Sequence, residues 1–149
     1  QQQVTFDTRT AMEWVKNNTS QESQFVILTG EATAMCDSIQ EWFPAISART
    51  SLTTAQGKEW ISGDQFVLEK ENYSDLQFCT MKKDVSCLNE HLNGETPDYL
   101  FLVKGIKFQY CAPKTNPFPT DALQQSLLQS VEWSKVYEND DVLIFAQKP

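Results

Sequence analysis

The sequence predicts an α/β fold: a three-layer sandwich with a largely parallel sheet and a C-terminal antiparallel β-hairpin. Three observations point there. QFVILTG (24–30) and DYLFLVKG (98–105) are short, near-continuous apolar runs, the pattern of strands buried on both faces. Stretches of helical period separate the extended segments, which is how strands reach parallel neighbours. At the end of the chain, SKVYENDDVLIFAQKP (134–149) places Asn139-Asp140-Asp141 between two alternating segments, a hairpin that would add an antiparallel edge.

Taken in order, residues 1–7 are polar and read as frayed. Asp7 or Thr8 can cap a helix through Lys16, with Met12 and Val15 on its buried side and Asn17-Asn18-Thr19-Ser20 as its end. After the first strand and Gly30, residues 33–42 read as a short helix that stops before Pro44. RTSLTT (49–54) is rich in β-branched residues and reads as a second strand, broken off by Gln56-Gly57. From Asp64 to Asn93 the pattern is helical, with Phe66, Leu68, Leu76, Phe78, Val85, Leu88 and Leu92 as apolar positions and a joint near 82–84. Asn93-Gly94 is a helix stop. IKFQYC (106–111) alternates, so it extends the third strand or forms an edge. The three prolines of APKTNPFPT (112–120) require a loop. Asp121 to Val131 is a helix with Leu123, Leu127, Leu128 and Val131 on one face. No repeat or low-complexity linker divides residues 1–149, which therefore read as a single domain.

Composition narrows the function classes. The 149 residues are 40% apolar and 11% aromatic, enough for a continuous core, and carry a formal net charge of −8. Such a chain repels phosphate backbones and anionic membrane surfaces, so no nucleic-acid partner is expected. No run of about 18 apolar residues offers a membrane span. QQQVTFDTRT has neither an initiator Met nor the basic start and apolar middle of a signal peptide, and reads as the start of an excised fragment or mature form.

Cofactor and catalytic motifs are absent from the sequence. The loop after the first strand, TGEATAMCD, has one glycine where a dinucleotide site wants three, and Glu31 would repel a phosphate; no cofactor is expected. No phosphate-cradling loop and no nucleophile elbow occurs. The four cysteines, Cys36, Cys79, Cys87 and Cys111, allow two disulfides in three connectivities, with buried thiols or a metal as the alternatives. No metal ligands are assigned. His91 stands four residues after Cys87 and could share a helix face with it as a Cys–His pair, unless Cys87 is oxidised. Sequons occur at Asn17, Asn18 and Asn72 and matter only in a eukaryotic secretory pathway.

The stretch EWFPAISARTSLTTAQGKEW (41–60) is the strongest candidate for a surface with a task. Each of the four tryptophans follows a glutamate, and Trp42 and Trp60 fall in predicted loops beside Pro or Gly. Loop indoles next to carboxylates suit sugar stacking; the competing reading makes them plugs at the ends of the sheet. The candidate ligand-binding residues are Trp42, Arg49, Gln56, Glu59 and Trp60, lining one concave surface at the carboxyl edge of the sheet. Arg49 begins at the other end of its strand and joins only by pairing with Glu41 or Glu59. Glu41 and Glu59 can also be read as the acid/base pair of a free-standing hydrolase.

The ensemble AMEWVKNNT, FVILTG, DSIQEWFPAISARTSLTTAQGKEW, LQFC, SCLNEHL, DYLFLVKG and VYENDDVLIFAQKP resembles the soluble C-terminal domain of multi-pass bacterial membrane proteins of the lipid-linked-sugar glycosyltransferase type. The likeness runs from Ala11 to about Phe145, and EWFP with R-T-S and T-A-Q-G-K-E-W is its most specific part. It implies chemistry on acidic loops between the parent's transmembrane helices. It implies for this segment an extracytoplasmic, non-catalytic role, assisting carbohydrate or lipid-linked-sugar binding with the transmembrane part as partner. That compartment favours disulfides, expected as Cys79–Cys87, closing a short loop, and Cys36–Cys111, near the ends of neighbouring strands.

Overall fold

The computed structural model describes residues 4–60, 63–105 and 117–149. Helix α1 spans Phe6–Asn18 and buries Thr8, Ala11, Met12 and Val15. Its cap is Thr5, whose side chain accepts from the Thr8 N–H, so the helix starts ahead of the Asp7 or Thr8 expected from sequence. Strand β1 is Gln24–Leu28. A 3₁₀ turn at Ala34–Cys36 leads into α2, Ser38–Ser47, then β2, which is only Thr50–Ser51. Helix α3 is Gly63–Phe78 and continues as a 3₁₀ turn at Cys79–Met81; α4 is Ser86–Glu90 and β3 is Tyr99–Val103. Helix α5, Asp121–Leu128, precedes β4, Trp133–Glu138, and β5, Val142–Gln147. IKFQYC, most of the proline loop and Cys111 lie outside the described residues.

The five strands form one sheet in the order β2-β1-β3-β5-β4. β1 pairs in parallel with β2 and with β3; β3–β5 and β4–β5 are antiparallel. The sheet is therefore mixed, parallel at one end and antiparallel at the other, rather than largely parallel. The hairpin does not simply add an edge. Its second strand, β5, lies inside the sheet, because VLIF has apolar side chains for both faces and can be covered on both. β4 takes the exposed edge, with Lys135 and Glu138 and a register irregularity between Lys135 and Tyr137, features that discourage further strand pairing.

Alternation along the three central strands builds two cores. Phe25, Ile27, Phe101, Val103, Val142 and Ile144 pack with Ala11, Met12 and Val15 of α1 and Ile39 and Phe43 of α2. Val26, Leu28, Leu100, Leu102, Leu143 and Phe145 point the other way, onto Leu76, Cys79, Leu88, Leu123 and Leu127. α5 stops earlier than the sequence suggests: Ser130 donates to the Leu127 carbonyl instead of continuing the helix, and Val131 is exposed.

Gly30 closes the carboxyl end of β1. It has φ of 78°, and a Cβ there would overlap the Phe118 carbonyl oxygen, so the segment before α5 can lie directly across the strand end. The Phe118 N–H donates to the Gly30 carbonyl at 2.6 Å. Helix α2, which follows β1, packs on one face of the sheet and α5, which follows β3, packs on the other, the arrangement of a switch point in open α/β sheets.

Candidate functional site

The stretch 41–60 folds around α2 in a way that its sequence explains only in part. Asp37 caps α2 by accepting from the N–H groups of Ile39 and Gln40. Pro44 lies inside the helix, not beyond it, which leaves the Gln40 carbonyl without its usual amide partner. The Thr54 hydroxyl fills that place, donating to the Gln40 carbonyl at 3.0 Å. Thr53 donates from its hydroxyl to Gln40 Oε1 at 2.9 Å and accepts the Ile27 N–H, while Gln40 Nε2 donates to the Ile27 carbonyl. The RTSLTT segment therefore leaves strand geometry after two residues. Its hydroxyls turn inward and fasten α2 to β1.

The sequence-nominated residues divide between the two ends of the sheet. Arg49 is buried at the amino-terminal end, where its guanidinium donates to the carbonyls of Lys16 (2.8 Å), Thr19 (2.6 Å) and Ala48 (3.0 Å) and to Thr19 Oγ1. It satisfies the last carbonyls of α1 and pairs with neither Glu41 nor Glu59. Gln56 lies at the other end, donating from Nε2 to the carbonyls of Ala34 (2.6 Å) and Asp37 (3.1 Å). Glu41 and Glu59 are exposed, and among the described residues no hydrogen bond or ion pair engages either carboxylate. Trp42 is 46% exposed on α2 and Trp60 is 94% exposed. Neither indole is a plug. Ala34, Ala55 and Tyr73 form a small buried cluster with Phe66 against it, while the chain neighbours Met35, Val67 and Leu68 are left exposed.

Sequence reasoning missed the buried acids beside this cluster. Asp37 Oδ2 accepts from Thr29 Oγ1 and from the Tyr73 hydroxyl, each at 2.6 Å. Burial, the largest influence, pushes the Asp37 carboxyl from its ordinary 3.8 up to about 6, against hydrogen bonds that favour the charged form. Burial also raises the Glu31 carboxyl, whose Oε1 accepts from the Thr33 N–H. Gln77 closes the group, accepting the N–H groups of Thr29 and Gly30 and donating to the Ile27 carbonyl. The signal in the sequence was Asp-Ser-Ile at 37–39, a cap before an apolar helix; nothing in it announced Tyr73 or Gln77 as partners.

Cys79 and Cys87 are joined as a disulfide, as expected, tying the end of α3 to α4. The His91 ring comes within 4.8 Å of both sulfurs. Because the sulfurs are bonded to each other, neither is the thiolate that a metal or a Cys–His pair needs. No cysteine among the described residues is a free thiol, and the partner proposed for Cys36, Cys111, lies outside them. A cleft of about 420 Å³ runs between residues 50–58, α3 and the segment after α4. Its rim holds the Lys58–Glu69 ion pair (2.9 Å) and His91, whose carbonyl accepts from Asn72 Nδ2.

No protein-family model and no curated protein matches this chain. Among solved structures it is similar to the C-terminal globular domain of an oligosaccharyltransferase from Archaeoglobus fulgidus. That likeness has a TM-score of 0.57 at 11% sequence identity and covers 99% of this chain and 100% of the other, so what the two share end to end is the fold.

Proposed function

We propose that this chain is an extracytoplasmic accessory domain of a membrane-bound glycosyltransferase-like protein of the lipid-linked-sugar type. It is non-catalytic alone and assists sugar or acceptor binding. The observation that carries the reading is the full-length likeness in fold to the C-terminal globular domain of an oligosaccharyltransferase. Two features of this molecule support it. Helices pack on both faces of the sheet, which supports reading residues 1–149 as one three-layer domain, and among the described residues no helix is long and apolar enough to cross a membrane. Trp60, Val67, Leu68 and Met35 are large apolar side chains left exposed, the kind of surface that the transmembrane part of the parent could cover. Trp42, Gln56, Glu59 and Trp60 are the residues through which this end would meet a ligand or the parent. Arg49 serves by holding α1 in place.

The test uses the full-length parent in its native membrane. Photo-crosslinking residues placed at 60 and 68 are expected to join this domain to the membrane-embedded part. Protease added to intact spheroplasts is expected to remove the domain without lysis. Protection until lysis, or crosslinks that never reach the membrane part, would overturn the reading.

A further inference from the structure

The cleft beside β2 has the make-up of a small-molecule pocket. Its volume of about 420 Å³ lies within the range such pockets occupy. Leu52, half-buried, is the leucine that the cleft leaves accessible, backed from the core by Leu76 and Leu92, which are 2% and 8% exposed. The polar groups stand on the rim, where Lys58 Nζ and Glu69 Oε2 meet at 2.9 Å beside His91.

The run of hydroxyl residues along one wall is not what would touch a ligand. Ser51, Thr53 and Thr54 spend their hydroxyls on one another and on Gln40. That wall is thereby held rigid by α2. The opposite wall is held as well. The Cys79–Cys87 disulfide ties α4 to α3, and Asn72 of α3 donates to the His91 carbonyl at 3.0 Å. Both sides of the cleft are fixed before anything enters, which lowers the entropy cost of binding.

We propose that this cleft is a saccharide pocket, which rests the C–H face of a neutral sugar ring against Leu52 and grips its hydroxyls with Lys58, Glu69 and His91. The rim selects for neutrality. Lys58 is already neutralised by Glu69, and Glu95 adds a carboxylate to the lining, so an anion meets repulsion. An ammonium donor and a carboxylate acceptor side by side match a ligand that both donates and accepts at every carbon, as a sugar does. The proposal rests on the accessory-domain reading and assigns that reading its ligand site.

Amide chemical shifts of the uniformly ¹⁵N-labelled chain, titrated with cellobiose, maltose and N,N′-diacetylchitobiose, test it. At least one disaccharide is expected to shift amides of residues 52–58, 72–76 and 91–95 with a Kd on the order of 1 mM. Lys58→Ala is expected to weaken that binding about fivefold without changing the thermal midpoint. Inorganic phosphate at the same concentration is expected to leave these amides unmoved. Equal shifts with phosphate, shifts confined to Trp42 and Trp60, or no shift with any sugar would each overturn the pocket. Transfer activity of the parent, lost on Trp60→Ala, would then still stand for the accessory role; if that too is unaffected, both readings fall.

Discussion

The Tyr73 hydroxyl lies 2.6 Å from Asp37 Oδ2 and 2.9 Å from the Glu31 carbonyl, so one phenolic proton faces two acceptors at the buried end of β1. Both acceptors share that one proton, and burial pushes the Asp37 carboxyl up to about 6 against the phenol's hydrogen bond, which favours the charged form.

The folded pKa lies above the unfolded one, so folding favours the protonated form. Asp37 therefore contributes most stability below pH 4, and this is lost as pH rises from about 4 to 6, amounting to about 3 kcal/mol across that window. Glu31, raised by the same cause, adds in the same direction. Asp37→Asn keeps the cap oxygen and presents an amide to Thr29 and Tyr73. Urea unfolding at pH 4.5 and 7.0 is expected to show the wild type losing stability toward neutrality and Asp37→Asn losing much less. An identical slope in both proteins would mean that Asp37 is ionised throughout.

Arg49 is expected to act on stability alone. Its guanidinium is the partner of carbonyls at Lys16, Thr19 and Ala48, and Arg49→Ala strands them in a buried place. The expected cost is about 3 kcal/mol, and Arg49→Lys, which lacks the planar fork, recovers less than half of it. Saccharide shifts in the surviving folded protein should match the wild type. A stable Arg49→Ala protein with altered binding would return Arg49 to the ligand site.

Trp60→Ala is expected to change unfolding stability by no more than about 0.5 kcal/mol, because the ring is almost wholly in solvent. Phe43→Ala, one residue beyond Trp42 but fully buried, should cost about 3–5 kcal/mol. Equal destabilisation by the two substitutions, measured by denaturant titration, would mean that Trp60 is covered in solution.

Cys79–Cys87 closes a short loop, and its reduction is expected to lower stability by about 2.5 kcal/mol on loop entropy. Because the two sulfurs are bonded to each other, alkylation of the native protein without reductant should label neither Cys79 nor Cys87, read by peptide mass. In denaturant without reductant, labelling of Cys79 or Cys87, located by peptide mass, would show that the pair is not formed. Reduction should also broaden the amide signals of 86–92, since α4 loses its tether to α3.

Sequence periodicity by itself determined the α/β class, both inner parallel strands, the long helix and the C-terminal hairpin. Each of these is a local pattern of side chains that must leave water, and local patterns survive any arrangement of neighbours. The order of strands was not legible, because VLIF at 142–145 can be covered on both faces in several positions, and only competition among all five strands placed it against β3. RTSLTT carries strand propensity yet pairs over two residues, since Thr53 and Thr54 are drawn to the needs of Gln40 and Pro44. Of the nominated site, Gln56 and Trp60 lie in the segment between β2 and α3. Arg49 was separated from them by the length of the strand, and the Asp37–Tyr73 contact joins residues 36 apart in sequence. Long-range pairing of buried polar groups depends on which backbone donors and acceptors the packing leaves unfilled, and that is decided only when the sheet and its helices close on one another.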